Sequence, residues 1–265
     1  MKKEACILRC DKITKEYKSN GSLFGNSSKF TALNEVSLYI GEGETLGIVG
    51  ESGSGKSTLG EIMGDIQRPT KGRVFFGDRD IRLLSRAEYM EYRKSVQFIF
   101  QDPKGSMNSY HRIRRVLREP LRALGIPGDE TEFESLMAST LKKVGLCTDV
   151  LNKYPGELSG GECQRVACAR AIIVNPRIII CDEAVSSLDV SVQAQMLNLL
   201  KDIQAELGMS YMFISHDIGV VNYMADRIAV MDKGRIVETG GADDVFTSPV
   251  TGYTKRLIED SFVNM

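Results

Sequence analysis

The sequence predicts an α/β fold with a mostly parallel sheet core, an N-terminal antiparallel β subdomain and an inserted α-helical subdomain. Three observations predict it. Continuous apolar runs such as "RIIICDE" and "YMFISHD", set between helical patterns, are what strands covered on both faces of a parallel sheet require. The early segments "ILRCDKITKEY", "FTALNEVSLYIGEGETLGIVG" and "RVFFGDRDI" are rich in β-formers and broken by Gly and charged turns, as hairpins are. From about Lys104 to Pro155 the chain instead carries apolar stripes at helical spacing. The 265 residues therefore read as one domain, with the helical part at roughly 104–160.

Each element follows from local chemistry. "SNGSLFGNSSKF", Ser19 to Phe30, is dense in Ser, Gly and Asn and reads as a flexible loop between two strands. After Lys56, Leu59, Ile62, Met63 and Ile66 recur at helical steps, and "RPTKG" ends that helix. Ile113, Val116, Leu117, Leu121 and Leu124 form one apolar stripe, and Phe133 to Val144 supplies a second. Arg112, Arg114, Arg115, Arg118 and Arg122 interleave with the first stripe, as a solvated face or, alternatively, a partner surface. Further on, "VQAQMLNLLKDIQAEL" is helical, "RIAVMDKGRIVETG" is a hairpin around Lys233 and Gly234, and a tail runs from roughly 240 to 265.

Composition bounds the partners. With 42% hydrophobic and 26% charged residues the chain has an ordinary globular core, and a formal net charge of −1 argues against a nucleic-acid binder. No apolar run approaches the roughly 18 residues a bilayer span needs, and the apolar part of "MKKEACILRCDK" is too short for a signal peptide, which places the chain in the cytoplasm. Cys6, Cys10, Cys147, Cys163, Cys168 and Cys181 form no C-x-x-C pair and read as reduced thiols.

Gly50, four residues, then Gly55-Lys56-Ser57 fits the phosphate-loop pattern, with an apolar strand before it and a helix after it. Glycines let backbone N–H groups converge on phosphate oxygens, and the helix that starts there points its positive end at the same anion. Lys56 suits the β- and γ-phosphates, and the Ser57 hydroxyl suits Mg2+. In "IIICDEAVSSLD", Asp182 ends a buried strand as a metal-organising acid would, and Glu183 beside it is placed to polarise water. His216 in "FISHD" also follows a strand and could reach a γ-phosphate; taken alone, a strand-end histidine is more often structural. "LSGGECQR", Leu158 to Arg165, makes a second Gly-rich helix start and hence a second anion site. One chain with one nucleotide has no use for it, whereas two chains packed head to tail do.

In this order the motifs resemble those of the nucleotide-binding subunit of an ABC transporter, over essentially the whole chain. The resemblance implies a P-loop NTPase (RecA-like) core. Gly50, Ser52, Gly53, Ser54, Gly55, Lys56, Ser57 and Thr58 would line the nucleotide as Walker A, with Gln101 as the Q-loop. Leu158–Glu162 would be the signature, Ile178–Glu183 the Walker B strand with its catalytic acid, Ser186–Asp189 the D-loop and His216 the H-loop. Tyr17 falls where the family stacks an aromatic on adenine. Ser159, Gly160, Gly161, Glu162 and Asp189 would face the partner's ATP, while Ser57, Gln101 and Asp182 would hold Mg2+. "FQDPKGSMNSY", "DVSVQAQMLNLL" and "GRIVETGGADDVFTSPVTGYTKRLI" resemble the peptide/nickel importer group, and Ala184 in "DEAVSSLD" its nickel and metal-opine members. Glu162 stands where Gln is commoner in the signature, which puts contacts to the partner's ribose in question, and Ser187 replaces the usual Ala of the D-loop.

The resemblance further implies ATP and Mg2+, a homologous ATPase subunit in a hetero- or homodimer, and two transmembrane permease subunits. An extracellular or periplasmic solute-binding protein would act indirectly, nucleic acid would not take part, and the chain would sit peripherally on the cytoplasmic face of the membrane. An ABC exporter ATPase and a non-transport ABC ATPase are the alternatives. A P-loop small-molecule kinase would leave "LSGGE" without a purpose.

Overall fold

The computed structural model describes residues 6–18, 29–186 and 188–263. Residues 19–28 of the expected loop, and Ser187, lie outside the described residues, whereas Lys29 and Phe30 belong to a strand. The chain runs through β1 (Cys6–Lys18), β2 (Lys29–Gly41), β3 (Thr45–Val49), α1 (Lys56–Met63), β4 (Lys71–Phe76) and β5 (Arg79–Asp80). Next come α2 (Arg86–Ser95), β6 (Val96–Ile99), α3 (Ile113–Ala123), α4 (Glu130–Lys143), α5 (Gly160–Ile172), β7 (Ile178–Asp182) and α6 (Val190–Leu207). The last elements are β8 (Ser210–Ser215), α7 (Ile218–Met224), β9 (Arg227–Asp232), β10 (Arg235–Gly241), α8 (Ala242–Thr247) and α9 (Gly252–Val263). They divide into two units, Met1–Ser85 with Ser210–Met265, and Arg86–Met209.

In the first unit, β1 pairs antiparallel with β2 on one edge and β4 on the other, and β5 extends the sheet in the order β2-β1-β4-β5. β2 shows why: Val36, Leu38 and Ile40 are buried while Glu35, Ser37 and Tyr39 face out, the period of a half-covered strand. β3 lies between β8 and β9, parallel to both, and β10 runs antiparallel to β9. Every residue of β3 and of β8 is buried, as continuous apolar runs in a parallel sheet demand. α7 packs on β3, and a side chain at Gly47 would run into Val221.

In the second unit, β6 and β7 are parallel, and α5 packs against β6, α3 and α4. α5 buries small side chains, Ala167, Cys168, Ala169 and Ala171, which let its neighbours approach. α3 buries Ile113, Val116, Leu117 and Leu121, most of the stripe read from the sequence. A capping box between Asp129 and Glu132 starts α4. The fold class is therefore the α/β class with mostly parallel core strands that the sequence predicts.

Three readings change. α1 stops at Met63, short of "RPTKG", because Gly64 caps it and Asp65 turns left-handed at φ 53°. The N–H groups of Ile66 and Gln67 both fold back to the Glu61 carbonyl, which leaves Ile66 45% exposed, outside the helix. α2 escapes the sequence reading because "RAEYMEYRKS" has no apolar stripe; Tyr92 and Ser95 are its buried residues. The arginines of α3 are not simply a solvated face. Arg114 pairs with Glu134, and Arg118 with Glu130, tying α3 to α4. The six thiols are unpaired, and burial pushes those of Cys10 and Cys168 up to about 12.

Candidate functional site

The phosphate loop in the first unit links β3 to α1. Gly50 and Gly55 sit at φ 157° and 101°, and a Cβ at Gly50 would lie 2.1 Å from the Met231 carbonyl oxygen. At Gly55 it would lie 2.6 Å from the carbonyl oxygen of Ala32, so this chain's own backbone demands glycine at both positions. The β9–β10 turn buttresses the loop: the Gly234 N–H donates to the Ser54 carbonyl at 3.0 Å. Lys56 is only 4% exposed, and its ammonium donates to the carbonyls of Gly50 (2.7 Å) and Glu51 (2.9 Å). Gly55 gives α1 no side-chain cap, and Thr58 sits in the first turn. The buried Ser54 hydroxyl has no hydrogen-bond partner among the described residues. An uncapped helix start, an orphaned hydroxyl and a charge curled inside the loop fit a polyphosphate. Ser52 and Gly53 are exposed on the loop, and Ser57 is exposed at the helix start.

The second unit brings two of the expected residues together. The Gln101 Nε2 donates to Glu183 Oε2 at 2.7 Å, so the amide orients the carboxylate while its oxygen, an acceptor, takes no part in that bond. Glu183 is half-buried and left-handed, at φ 46°, a costly backbone for a residue with a Cβ. Its carbonyl accepts from the N–H and hydroxyl of Ser186, which offsets that cost. Asp182 is the last residue of β7 and is buried. No cluster of three His, Cys, Asp or Glu residues gathers among the described residues. A Mg2+ ion held by one carboxylate and substrate phosphates needs none, and Ser57 in the first unit, like Gln101 and Asp182 in the second, carries an oxygen of the hard kind that could serve such an ion.

The signature segment forms the start of α5. The Ser159 hydroxyl accepts from the Glu162 N–H at 3.2 Å while the Glu162 carboxylate accepts from the Ser159 N–H at 2.9 Å. Glu162 thus completes a capping box, a local role that S-x-x-E spells out in sequence. The Ser159 backbone and hydroxyl bonds hold its carboxyl below the usual range. A Cβ at Gly160 would meet nothing within 4 Å, and at Gly161 only Val192, at 3.1 Å. Asp189 caps α6, accepting from the Val192 N–H and the Ser191 hydroxyl.

Two further expected residues lie in the first unit, His216 following Ser215, which pairs with Val49 at the foot of the phosphate loop. Tyr17 is 37% exposed near the end of β1; its hydroxyl donates to Gln67, and Lys15 lies over its ring. His216 is exposed just past β8. Sequence reasoning missed Arg170, which donates to the Ser106 carbonyl (2.7 Å) and hydroxyl (3.1 Å) and so ties α5 to the segment after Gln101. Its partner lies 64 residues away, beyond the reach of local pattern. Also in this unit, Tyr110, Arg112, Arg115, Arg122 and Tyr154 line an open groove of about 1090 Å3.

The described geometry agrees with what similarity shows. A family model described as "ABC transporter" matches residues 33–186. The chain is 44% identical to the dipeptide transport ATP-binding protein DppF of Lactococcus lactis subsp. cremoris, over 88% of this chain and 76% of the relative. It is also 44% identical to the oligopeptide transport ATP-binding protein OppF of Salmonella typhimurium, over 86% and 68%. Among solved structures, the dimeric ATP-binding cassette MJ0796 bound to ADP and Pi aligns at TM-score 0.78 with 30% identity, over 89% and 98% of the two chains. CbiO1 of Clostridium perfringens, part of the ABC transporter complex cbiONQ, aligns at 0.76 with 28% identity, over 99% and 96%. Built on a glycine-dictated phosphate loop and a self-capped signature helix, the chain belongs to the ABC transporter family.

Proposed function

We propose that this chain is the ATP-hydrolysing subunit of an ABC importer that energises uptake of small peptides, with nickel or metal chelates as the second solute class. The observation that carries hydrolysis is the 2.7 Å bond between Gln101 and Glu183. In this reading the loop's N–H groups and Lys56 grip the phosphates, and Tyr17 offers its ring to the adenine. Glu183, oriented by Gln101, accepts a proton from the attacking water as its oxygen bonds to the γ-phosphorus and ADP leaves. His216 helps to position that water. Ser57, Gln101 and Asp182 would hold Mg2+, which draws charge from the phosphates when bound.

Two copies, or this chain and a sister ATPase, would close on ATP, with Ser159, Gly160, Gly161, Glu162 and Asp189 serving the nucleotide on the other chain. The clear space around Gly160 supports this, since nothing in its own fold asks for glycine there. Two permease subunits would supply the path through the membrane, and among the described residues no helix is long and apolar enough to cross one. The arginine-lined groove, with Tyr110 89% exposed at its rim, is the surface we assign to the permease, at the cytoplasmic face. The peptide assignment draws on the relatives' names, DppF and OppF.

Glu183→Gln tests the core of this reading. The variant should bind ATP with little change, lose turnover by at least roughly 100-fold, and accumulate as an ATP-bound dimer in size-exclusion chromatography. Normal turnover would remove Glu183 from its role. Labelled di- and oligopeptide uptake, set against Ni2+ uptake by the reconstituted membrane complex, separates the two solute classes.

A further inference from the structure

The segment that leads into α9 is fastened to β10 by one carboxylate. Glu238 accepts from the Val250 N–H at 2.8 Å, the Thr251 N–H at 3.0 Å and the Thr254 hydroxyl at 2.6 Å. The Thr254 N–H in turn donates to the Thr251 hydroxyl at 3.1 Å, and Thr254 is fully buried. Burial pushes the Glu238 carboxyl up, but the Thr254 hydroxyl and the two N–H groups outweigh it and hold the group below the usual carboxylate range. Three donors on one ionised side chain leave this turn little freedom.

Tyr253 projects from that fixed turn. Its hydroxyl accepts a hydrogen bond from the backbone N–H of Glu51 at 3.1 Å, 202 residues away in sequence. Glu51 is a junction of the phosphate loop. Its carbonyl accepts from the Lys56 ammonium at 2.9 Å and from the Ser54 N–H at 3.2 Å. The peptide before Glu51 is therefore anchored from outside the loop, and the carbonyl after it is where the loop's own charge and its first turn are tied.

We infer that Tyr253 is a positioning residue for nucleotide binding: its hydroxyl holds Glu51, and through it Ser54 and Lys56, in the shape that receives phosphate, with Glu238 holding Tyr253 in turn. This rests on the loop being the nucleotide site. A loop held in its binding shape spends less of the binding energy on its own ordering. Loss of the hydroxyl should therefore weaken binding and leave the chemical step alone, because Tyr253 touches no reacting atom. The C-terminal helix thereby becomes part of the nucleotide site without facing it.

The test uses the full chain with Mg2+·ATP and Mg2+·ADP. Tyr253→Phe keeps the ring and removes the hydroxyl. It should raise Kd for both nucleotides by roughly three- to tenfold, the effect of one ordinary hydrogen bond. KM for ATP should rise in step while kcat at saturation stays within about twofold, and amide exchange at Glu51 should accelerate. A tyrosine that served packing alone would lower the melting temperature without splitting KM from kcat. Glu238→Gln, a second and independent variant, should shift Kd in the same direction, and the double variant should bind no worse than Tyr253→Phe alone. Unchanged Kd and KM in Tyr253→Phe, with a wild-type chain that binds ATP, overturn the inference and leave the nucleotide site standing. A wild-type chain that does not bind ATP overturns both.

Discussion

Two glycine-rich helix starts, the phosphate loop at α1 and the signature at α5, look alike in sequence and differ in what surrounds them. At α1 the glycines are demanded from within: Met231 and Ala32 carbonyls occupy the space that Cβ atoms at Gly50 and Gly55 would need. The helix there has no side-chain cap, and Lys56 is tucked inside. At α5 the helix is closed by its own residues, Ser159 and Glu162, and Gly160 faces open space. One start is shaped to hold a ligand by its own chain. The other is satisfied in isolation and leaves its first glycine bare, as the proposed nucleotide on a partner chain would need.

Substitutions can break this contrast. Gly50→Ala should weaken ATP binding at least tenfold and cost about 1–3 kcal/mol of stability, because a backbone carbonyl has to shift. Isothermal titration and thermal melts read both effects. Gly160→Asp should do the reverse to the fold: a carboxylate in the first turn suits the helix dipole, so the melting temperature should hold or rise slightly. ATP binding to the single chain should also hold, yet hydrolysis by the assembled pair should fall at least tenfold, since a negative charge would face phosphate. A Gly160→Asp chain that unfolds, or one that turns over normally, would erase the distinction.

Smaller effects sharpen it. Ser159→Ala removes the cap of α5 and should cost about 1 kcal/mol in chemical denaturation. Glu162→Gln probes the other half of the box. The Glu162 carboxyl titrates below its ordinary value, so its stabilisation is complete above about pH 4.3 and fades as the pH falls through the lower folded value. Because the group is only half-buried and screened by water, the effect is on the order of 0.3 kcal/mol. The melting temperature of Glu162→Gln should therefore fall less than that of the wild type between pH 5 and pH 3.

What the sequence made legible was chemistry carried by neighbours in the chain. Gly50 to Ser57 is contiguous, and the buried strands β3, β7 and β8 announce themselves as apolar runs. The capping box is equally local, yet the family resemblance presents Glu162 only as a departure at a ribose contact. Periodicity failed where it had nothing to grip, as in polar α2, or too much, as at Ile66, where Gly64 and Asp65 had already ended the helix. The bonds from Tyr253 to Glu51 and from Arg170 to Ser106 span 202 and 64 residues, and no local pattern encodes such reach.

Arg170 has one more consequence. A guanidinium is flat and forked, and here its two arms grasp two atoms of a single serine. Rotation of the last turn of α5 must then drag residues 103–107 with it, as a crank drags its rod. Lysine, with one flexible point of charge, would let the rod slip, so the helix and the strand of loop it steers are bound to change together or not at all.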